Sequence, residues 1–400
     1  MYDLVITNGI CVTASDEAPL DITIQGERIA LTAPSGSLST QGIRVIDAAG
    51  GYVNGKPGGI DCHVYLQEPS MFGKGTSADN YESGSRSAIA GGITTIITFA
   101  PLQKVTDSTP LSIIHSTLSL ATGQCYCYCD FSFHVLGTAS LKALSEFPRL
   151  REEGISSNRI LAMIHAENGE VLDWLTNQLE DAKLFAPKAT NRAIALSSLI
   201  RGTPILLVHK PGFEGTKCVC SPPPRGKSDQ DAIWTGLANG TGKKTCITEK
   251  RPVGQFKHIP NGIPGVETRM PLALSGDRLA LTKFVQVTST SAAKLYGLYP
   301  RKGALIPGVS DADVTIWYPE SSNMDLTVTN EMLHHDCDYT PYEGRKIYNW
   351  PRYTIIRGKV VWDRDNGGIV GDKGYGQFIK RDAAVGIWKT TEQEFDLESL

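Results

Sequence analysis

Residues 1–55 alternate apolar and polar positions in short runs, DLVITNG, DITIQGERIAL and IRVIDAAGGYV. β-Branched residues at every second position, broken by Gly and Asn, predict strands with one buried face. The pattern returns over residues 303–365 in KGALIPGVSDADVTIWYP and YTIIRGKVVWDRD. Between these ends, apolar strand-like runs alternate with segments of helical period. YESGSRSAIA precedes GGITTIITFA, and DFSFHV precedes SLKALSEFPRLREEG. RILAMIHAE precedes NGEVLDWLTNQLEDAK, and TNRAIALSSLIRG leads into TPILLVHK. Such alternation predicts an α/β class with a parallel core. The expected architecture is a TIM-like (β/α) barrel over 56–302, incomplete, beside a small β-sandwich formed by 1–55 and 303–370. Residues 371–400 are polar and mixed and are expected to form a C-terminal tail or arm on the surface.

Composition narrows the function classes. The chain of 400 residues is 41% hydrophobic and 20% charged, ordinary for a soluble globular protein. A net charge of -3 gives no electrostatic case for nucleic acid or an anionic membrane as partner. MYDLVITNGICVTASDEAPL lacks a basic region followed by an apolar one, so no signal peptide is expected. Apolar runs such as ITTIITFAPL fall far below the roughly 20 residues of a membrane helix. The expected location is cytoplasmic, with the nine cysteines as free thiols. The CYCYC run, Cys125 to Cys129, reads as a half-buried strand in preference to a soft-metal site.

Three histidines close apolar strand-like runs: His63 after GGIDC, His165 after ILAMI and His209 after PILLV. In a parallel barrel the C-terminal strand ends converge on one face. Neutral imidazoles gathered there suit Zn²⁺, and three of them leave an open catalytic position. One such histidine alone reads as structural; three at equivalent positions reverse that reading. His134 follows DFSF and could face the same rim. His258 falls in a loop, His334 and His335 fall outside the barrel, and His115 falls in a helical stretch.

Longer passages carry a family resemblance. GGIDCH, YESGSRSAIAGGITTIITFA, IHAENGEVLDWL, ATNRAIAL, SPPPR, HIPNGIPGVETRMPL, TSTSAAKLYGLYPRKGALIPGVSDADVTIW and DYTPYEG run over nearly the whole chain. Together they resemble the dihydropyrimidinase and hydantoinase branch of the amidohydrolase superfamily. The resemblance implies hydrolysis of a small cyclic amide or imide, a dihydropyrimidine or hydantoin ring, in a homo-oligomer that is often a tetramer. It implies two metal ions, usually zinc, sharing a bridging hydroxide. The family's ligands are two histidines of the first strand, a carboxylated lysine of the fourth, one histidine each from the fifth and sixth, and an aspartate from the eighth.

Only part of that set carries over. His63, His165 and His209 match metal ligands, while Ser221 in SPPPR and Asn261 in IPNG match substrate-holding positions. Tyr65 stands where the second first-strand histidine is expected, and a phenol with a reference pKa near 10 is a poor ligand unless strongly activated. The interval between DFSFHV and IHAENGE has no room for the strand bearing the lysine, and Lys142 falls in its helical part. The interval between LLVHK and SPPPR is short as well. If Cys246 aligns with the family cysteine, Lys244 takes the aspartate position, and Glu249 lies five residues too far along. A charged ammonium neither coordinates a cation nor acts as base. One zinc on His63, His165 and His209 is the expected remnant. The alternative is a non-catalytic, dihydropyrimidinase-like oligomeric interaction protein.

Overall fold

The computed structural model describes residues 1–38, 41–54, 58–67, 77–101, 114–115, 117–119, 126–136, 152, 162–164, 205–207, 264–276, 279–322 and 324–382. The N-terminal strands are β1 (Tyr2–Val12), β2 (Glu17–Gln25), β3 (Arg28–Pro34), β4 (Gly42–Asp47) and β5 (Tyr52–Asn54). Next come β6 (Gly59–Val64), helix α1 (Tyr81–Ala90), β7 (Ile93–Pro101) and β8 (Asp130–Leu136). Strands β9 (Ala162–Ile164) and β10 (Ile205–Leu207) follow. The helices α2 (Arg269–Leu274), α3 (Leu281–Val285) and α4 (Ser291–Leu295) lead to the C-terminal strands, with a π-helical turn, Gln286–Thr290, joining α3 to α4. Those strands are β11 (Val314–Trp317), β12 (Leu326–Thr327), β13 (Lys346–Ile347), β14 (Pro351–Ile356), β15 (Lys359–Asp363) and β16 (Gly368–Ile369).

The two ends of the chain share one nine-stranded sheet in the order β16-β15-β14-β11-β5-β1-β2-β3, with β4 also on β1. The join is β5, parallel to β1 on one side and antiparallel to β11 on the other. Strand β1 does not end at the Asn8-Gly9 pair where the pattern suggests a turn. It continues to Val12 through a register shift between Ile6 and Gly9, where Asn8 takes φ 55. Asn tolerates that left-handed geometry better than most residues, so the pair makes a bulge instead of a hairpin. Leu4, Ile6, Ile22, Ile24, Ile29, Val53, Val314 and Ile316 form the core of this sheet.

Strands β6, β7 and β8 form a parallel sheet in that order, as consecutive barrel strands would. Helix α1 connects β6 to β7. Its start is fixed by a reciprocal cap: the Asn80 side chain accepts from the Ser83 N–H and the Ser83 hydroxyl accepts from the Asn80 N–H. Its buried face packs with Ile93, Ile96, Phe131 and Phe133 and with Trp317 and Trp362 of the terminal sheet, so one core joins the two sheets. Strands β9 and β10 form a second parallel pair, with Ile164 opposite Leu207.

A buried ionic cluster crosses the same junction. Lys302 Nζ lies 2.6 Å from Asp130 Oδ2, 2.6 Å from Asp313 Oδ2 and 3.1 Å from Asp311 Oδ2, all almost wholly buried. Arg357 pairs with the other oxygen of Asp130. Lysine and aspartate are almost never fully buried unless paired, which explains the closeness of this arrangement.

Two expectations change. Residues 126–129 are a bend leading into β8, not part of the strand. Cys127 and Cys129 are buried there, and burial pushes the Cys127 thiol up to about 12 and Cys129 well above its ordinary value. Thiols so placed are inert. Residues 376–381, from the segment expected as a surface tail or arm, run against β8 and the bend before it and bury Ile379.

Candidate functional site

Strand β6 delivers His63 to its C-terminal end, half-buried, with Cys62 and Val64 buried on either side. The neighbouring strands supply rings at the same end. Phe99 of β7 is in register with His134 of β8. The His63 imidazole meets Phe99 edge-on at 5.0 Å and Tyr65 edge-on at 5.3 Å. Tyr65 lies flat on Phe99, with centroids 4.6 Å apart and planes 11° apart. His134 contacts Phe99 at 5.2 Å and Tyr296, just beyond α4, at 5.0 Å. The strand end is therefore an aromatic cluster containing two imidazoles.

The imidazoles have different roles. His134 Nε2 lies 3.0 Å from the Cys62 carbonyl, which can only accept, so Nε2 carries the proton in the neutral ring. Burial, aided by the Arg381 charge, lowers the His134 pKa to about 3, so the ring stays neutral across the physiological range. Beneath His63, Asp61 accepts the His63 N–H at 3.2 Å and lies 3.5 Å from Arg269 Nε. Burial raises the Asp61 carboxyl to about 7 in spite of Arg269.

The described residues supply one imidazole of the expected ligand set, His63. His63 is an imidazole at an open strand end. Two residues on, a stacked phenol ring replaces a second imidazole, and His134 commits Nε2 to a backbone carbonyl. Among the described residues no group of three His, Cys, Asp or Glu side chains could hold a metal. His165 and His209 lie outside the described residues, as do Ser221, Asn261, Lys142, Lys244, Cys246, Glu249 and His258. The strands before two of them are described: β9 ends one residue before His165, and β10 ends two residues before His209.

His334, expected outside the barrel, is held by Glu267: its Nδ1 lies 2.9 Å from Oε1, and its N–H donates to Oε2 at 2.8 Å. This pair buttresses α1, whose Ser87 hydroxyl also donates to Glu267. The partners missed from the sequence are Phe99, Tyr296 and Asp61. Asp61 had a signal, two residues before His63 on the same strand, and Phe99 had a weaker one near the end of the apolar run GGITTIITFA. Tyr296 had none, because its approach to His134 is a long-range contact.

The chain is 33% identical over 470 aligned residues to a D-hydantoinase of Geobacillus stearothermophilus, covering 94% of this chain and 96% of that protein. It is 29% identical to a dihydropyrimidinase of Rattus norvegicus, covering 90% and 84%. A crystal structure of a D-hydantoinase matches with a TM-score of 0.75 at 32% identity, covering 94% of this chain and 98% of that one. A dihydropyrimidinase structure from Brevibacillus agri matches with a TM-score of 0.75 at 31% identity, covering 95% and 98%. No family model matches. The first alignment spans 470 positions against a chain of 400 residues, so internal segments of that relative have no counterpart in this chain.

Proposed function

The chain belongs to the hydantoinase and dihydropyrimidinase branch of the amidohydrolases and shares their TIM-like barrel fold, and from that premise we propose that it acts on a small cyclic amide or imide with at most one zinc ion. His63, His165 and His209 would hold the ion. The observation that carries this reading is the set of parallel strands that run toward them: β6 carries His63 one residue before its end, and the in-register pair β9 and β10 runs toward positions 165 and 209. A bound zinc would polarise the ring carbonyl and supply hydroxide at neutral pH.

The chain's own residues set the limits of the reaction. Ser221 and Asn261 would bind the amide edge of the ring. The Tyr65–Phe99 stack would form one wall beside His63 and exclude water from it. His134, neutral and tied to Cys62, holds its strand end in place and does not move a proton. If Cys246 aligns with the family cysteine, Lys244 takes the aspartate position and supplies no base while charged. General acid–base assistance is commonly worth about 10² to 10⁴ in rate, so turnover should be slower than in a complete site by that order.

The Tyr65–Phe99 stack also favours a second reading, a non-catalytic homo-oligomer of the same fold. Partners are then further copies or other proteins, with neither nucleic acid nor membrane. No helix among the described residues is long and apolar enough to cross a membrane. A cytoplasmic setting agrees with the buried thiols of Cys11, Cys127 and Cys129, which form no disulfide. Hydrolysis of dihydrouracil and hydantoin with added zinc, in the wild type and in His63→Ala, separates the readings. Slow turnover that disappears in H63A supports the enzyme. Absence of turnover in a folded oligomer supports the second reading and overturns the first.

A further inference from the structure

Strand β6 does not reach its end in a regular ladder. Asp61 lies opposite Ile96 and Val64 opposite Thr98, so β6 advances three residues where β7 advances two. The extra residue makes a bulge at Cys62 and His63, the device by which a strand re-aims a side chain beside an active site. Side chains bind the peptide groups around it. Asp61 Oδ1 accepts the His63 N–H at 3.2 Å, and His134 Nε2 donates to the Cys62 carbonyl at 3.0 Å. Arg269 Nη2, at the start of α2, donates to the Ile60 carbonyl at 3.0 Å.

Arg269 reaches this bulge twice. Besides holding Ile60, its Nε lies 3.5 Å from Asp61 Oδ2, the carboxyl oxygen that does not take the His63 N–H. A planar guanidinium suits two directed contacts of this kind. Both side chains are buried, 0% exposed for Arg269 and 2% for Asp61. Apolar side chains of the same volume often match a buried ion pair in stability, so packing alone does not account for this one. What the guanidinium adds is direction: with a cation on Oδ2, the carboxyl keeps Oδ1 on the His63 N–H. The arginine is itself firmly seated. Glu267, two residues earlier, accepts the Ser87 hydroxyl and the His334 N–H. A Cβ on Gly91 would lie 2.4 Å from the Glu267 carbonyl oxygen, so only glycine admits this segment beside the end of α1.

We propose that Arg269 is a positioning residue: acting through Asp61 and the Ile60 carbonyl, it fixes the β6 bulge and so the direction in which His63 presents its imidazole. The proposal rests on the reading of His63 as a metal ligand. Turning the His63 backbone moves the coordinating nitrogen, and a metal bond tolerates only about 0.2 Å. Groups that orient ligands from behind typically carry about 10–100-fold in metal affinity. In this role Arg269 touches neither metal nor substrate.

Full-length Arg269→Met keeps most of the bulk and removes the charge. Amide hydrogen exchange and zinc chelator competition read the result. Ile22→Ala, in the separate core of the terminal sheet, controls for lost stability. Relative to the Ser132 amide in β8, the His63 amide should exchange at least about tenfold faster in R269M than in the wild type, the signature of local opening. Zinc should bind about 10–100-fold more weakly. Arg269→Lys keeps the charge without the planar fork and should fall between. I22A should leave the exchange ratio and the zinc affinity at their wild-type values. Given a wild type that binds zinc, a wild-type exchange ratio or wild-type zinc affinity in R269M overturns the proposal, as does an equal loss of affinity in I22A. A wild type that binds no zinc overturns the single-metal reading instead, and the exchange ratio alone then decides whether Arg269 positions His63. If R269M does not fold, R269K is read by the same criteria.

Discussion

Replacing Lys302 by Met removes the one cation that three buried carboxylates share. The consequence differs among the three. Asp130 keeps Arg357, and Asp311 keeps Arg301 at 2.9 Å and Arg28 at 3.0 Å. Asp313 keeps the Arg357 backbone N–H at 2.9 Å on Oδ1 and loses the ammonium at 2.6 Å on Oδ2. Breaking a buried pair from one side typically costs about 3–5 kcal/mol, because a desolvated charge is left behind. The deficit should depend on pH. Burial raises the Asp313 pKa above its unfolded value, with Lys302 opposing that rise. A raised carboxyl favours folding below the unfolded value, near 3.9, and loses that contribution as pH climbs through the folded value. Without Lys302 the folded value rises further, so the K302M deficit should grow from about pH 4 toward neutrality. Urea unfolding of the wild type, K302M, Asp313→Asn and the double variant at several pH values measures this. The double variant should recover part of the loss, making the two substitutions strongly non-additive. A K302M loss below about 1 kcal/mol, as for an exposed pair, or simple additivity, would refute the reasoning.

Three further outcomes follow from named contacts. The lowered His134 pKa means that the unfolded chain takes up that proton first, so stability falls as pH drops from 6.5 toward 3, by about 3 kcal/mol at pH 4. His134→Gln should flatten this part of the pH–stability curve, and an unchanged slope would show that His134 is not buried neutral. Trp350→Ala removes a fully buried indole whose N–H donates to the Ala90 carbonyl at 2.9 Å, and should cost about 3–5 kcal/mol in urea unfolding; a cost under about 1 would contradict the packing. Tyr65→His places a second imidazole two residues after His63 and should tighten zinc binding in a chelator competition; unchanged affinity would mean that His63 is not a ligand.

The strand ends were legible because alternation and buried runs are local signals. His63 and His134 follow from where the runs GGIDC and DFSF end, and the GGIDCH and IHAENGE passages pointed to the family. The bulge at Asn8 was missed because Asn-Gly serves a hairpin or a bulge equally well, and the pairing of β1 with β4 and β5 decides between them. The burial of Lys302, Asp311 and Asp313 was not legible, since nothing local reveals that Asp130 and Arg357, over 40 residues away in sequence, meet them in the core. The Gln377–Ile379 contact with Phe131 was hidden for the same reason: a polar, glycine-rich segment looks solvated until its partner edge is known.

The central claim is a cyclic-amide site reduced to a single metal ion on His63, His165 and His209. Zinc content per chain in purified wild-type protein and in H63A, by elemental mass spectrometry after exhaustive dialysis, tests it most directly. The account predicts about one zinc per wild-type chain, from three histidine ligands and an open position, and a marked loss in H63A. Two zinc ions per wild-type chain, or equal content in the two proteins, would contradict it.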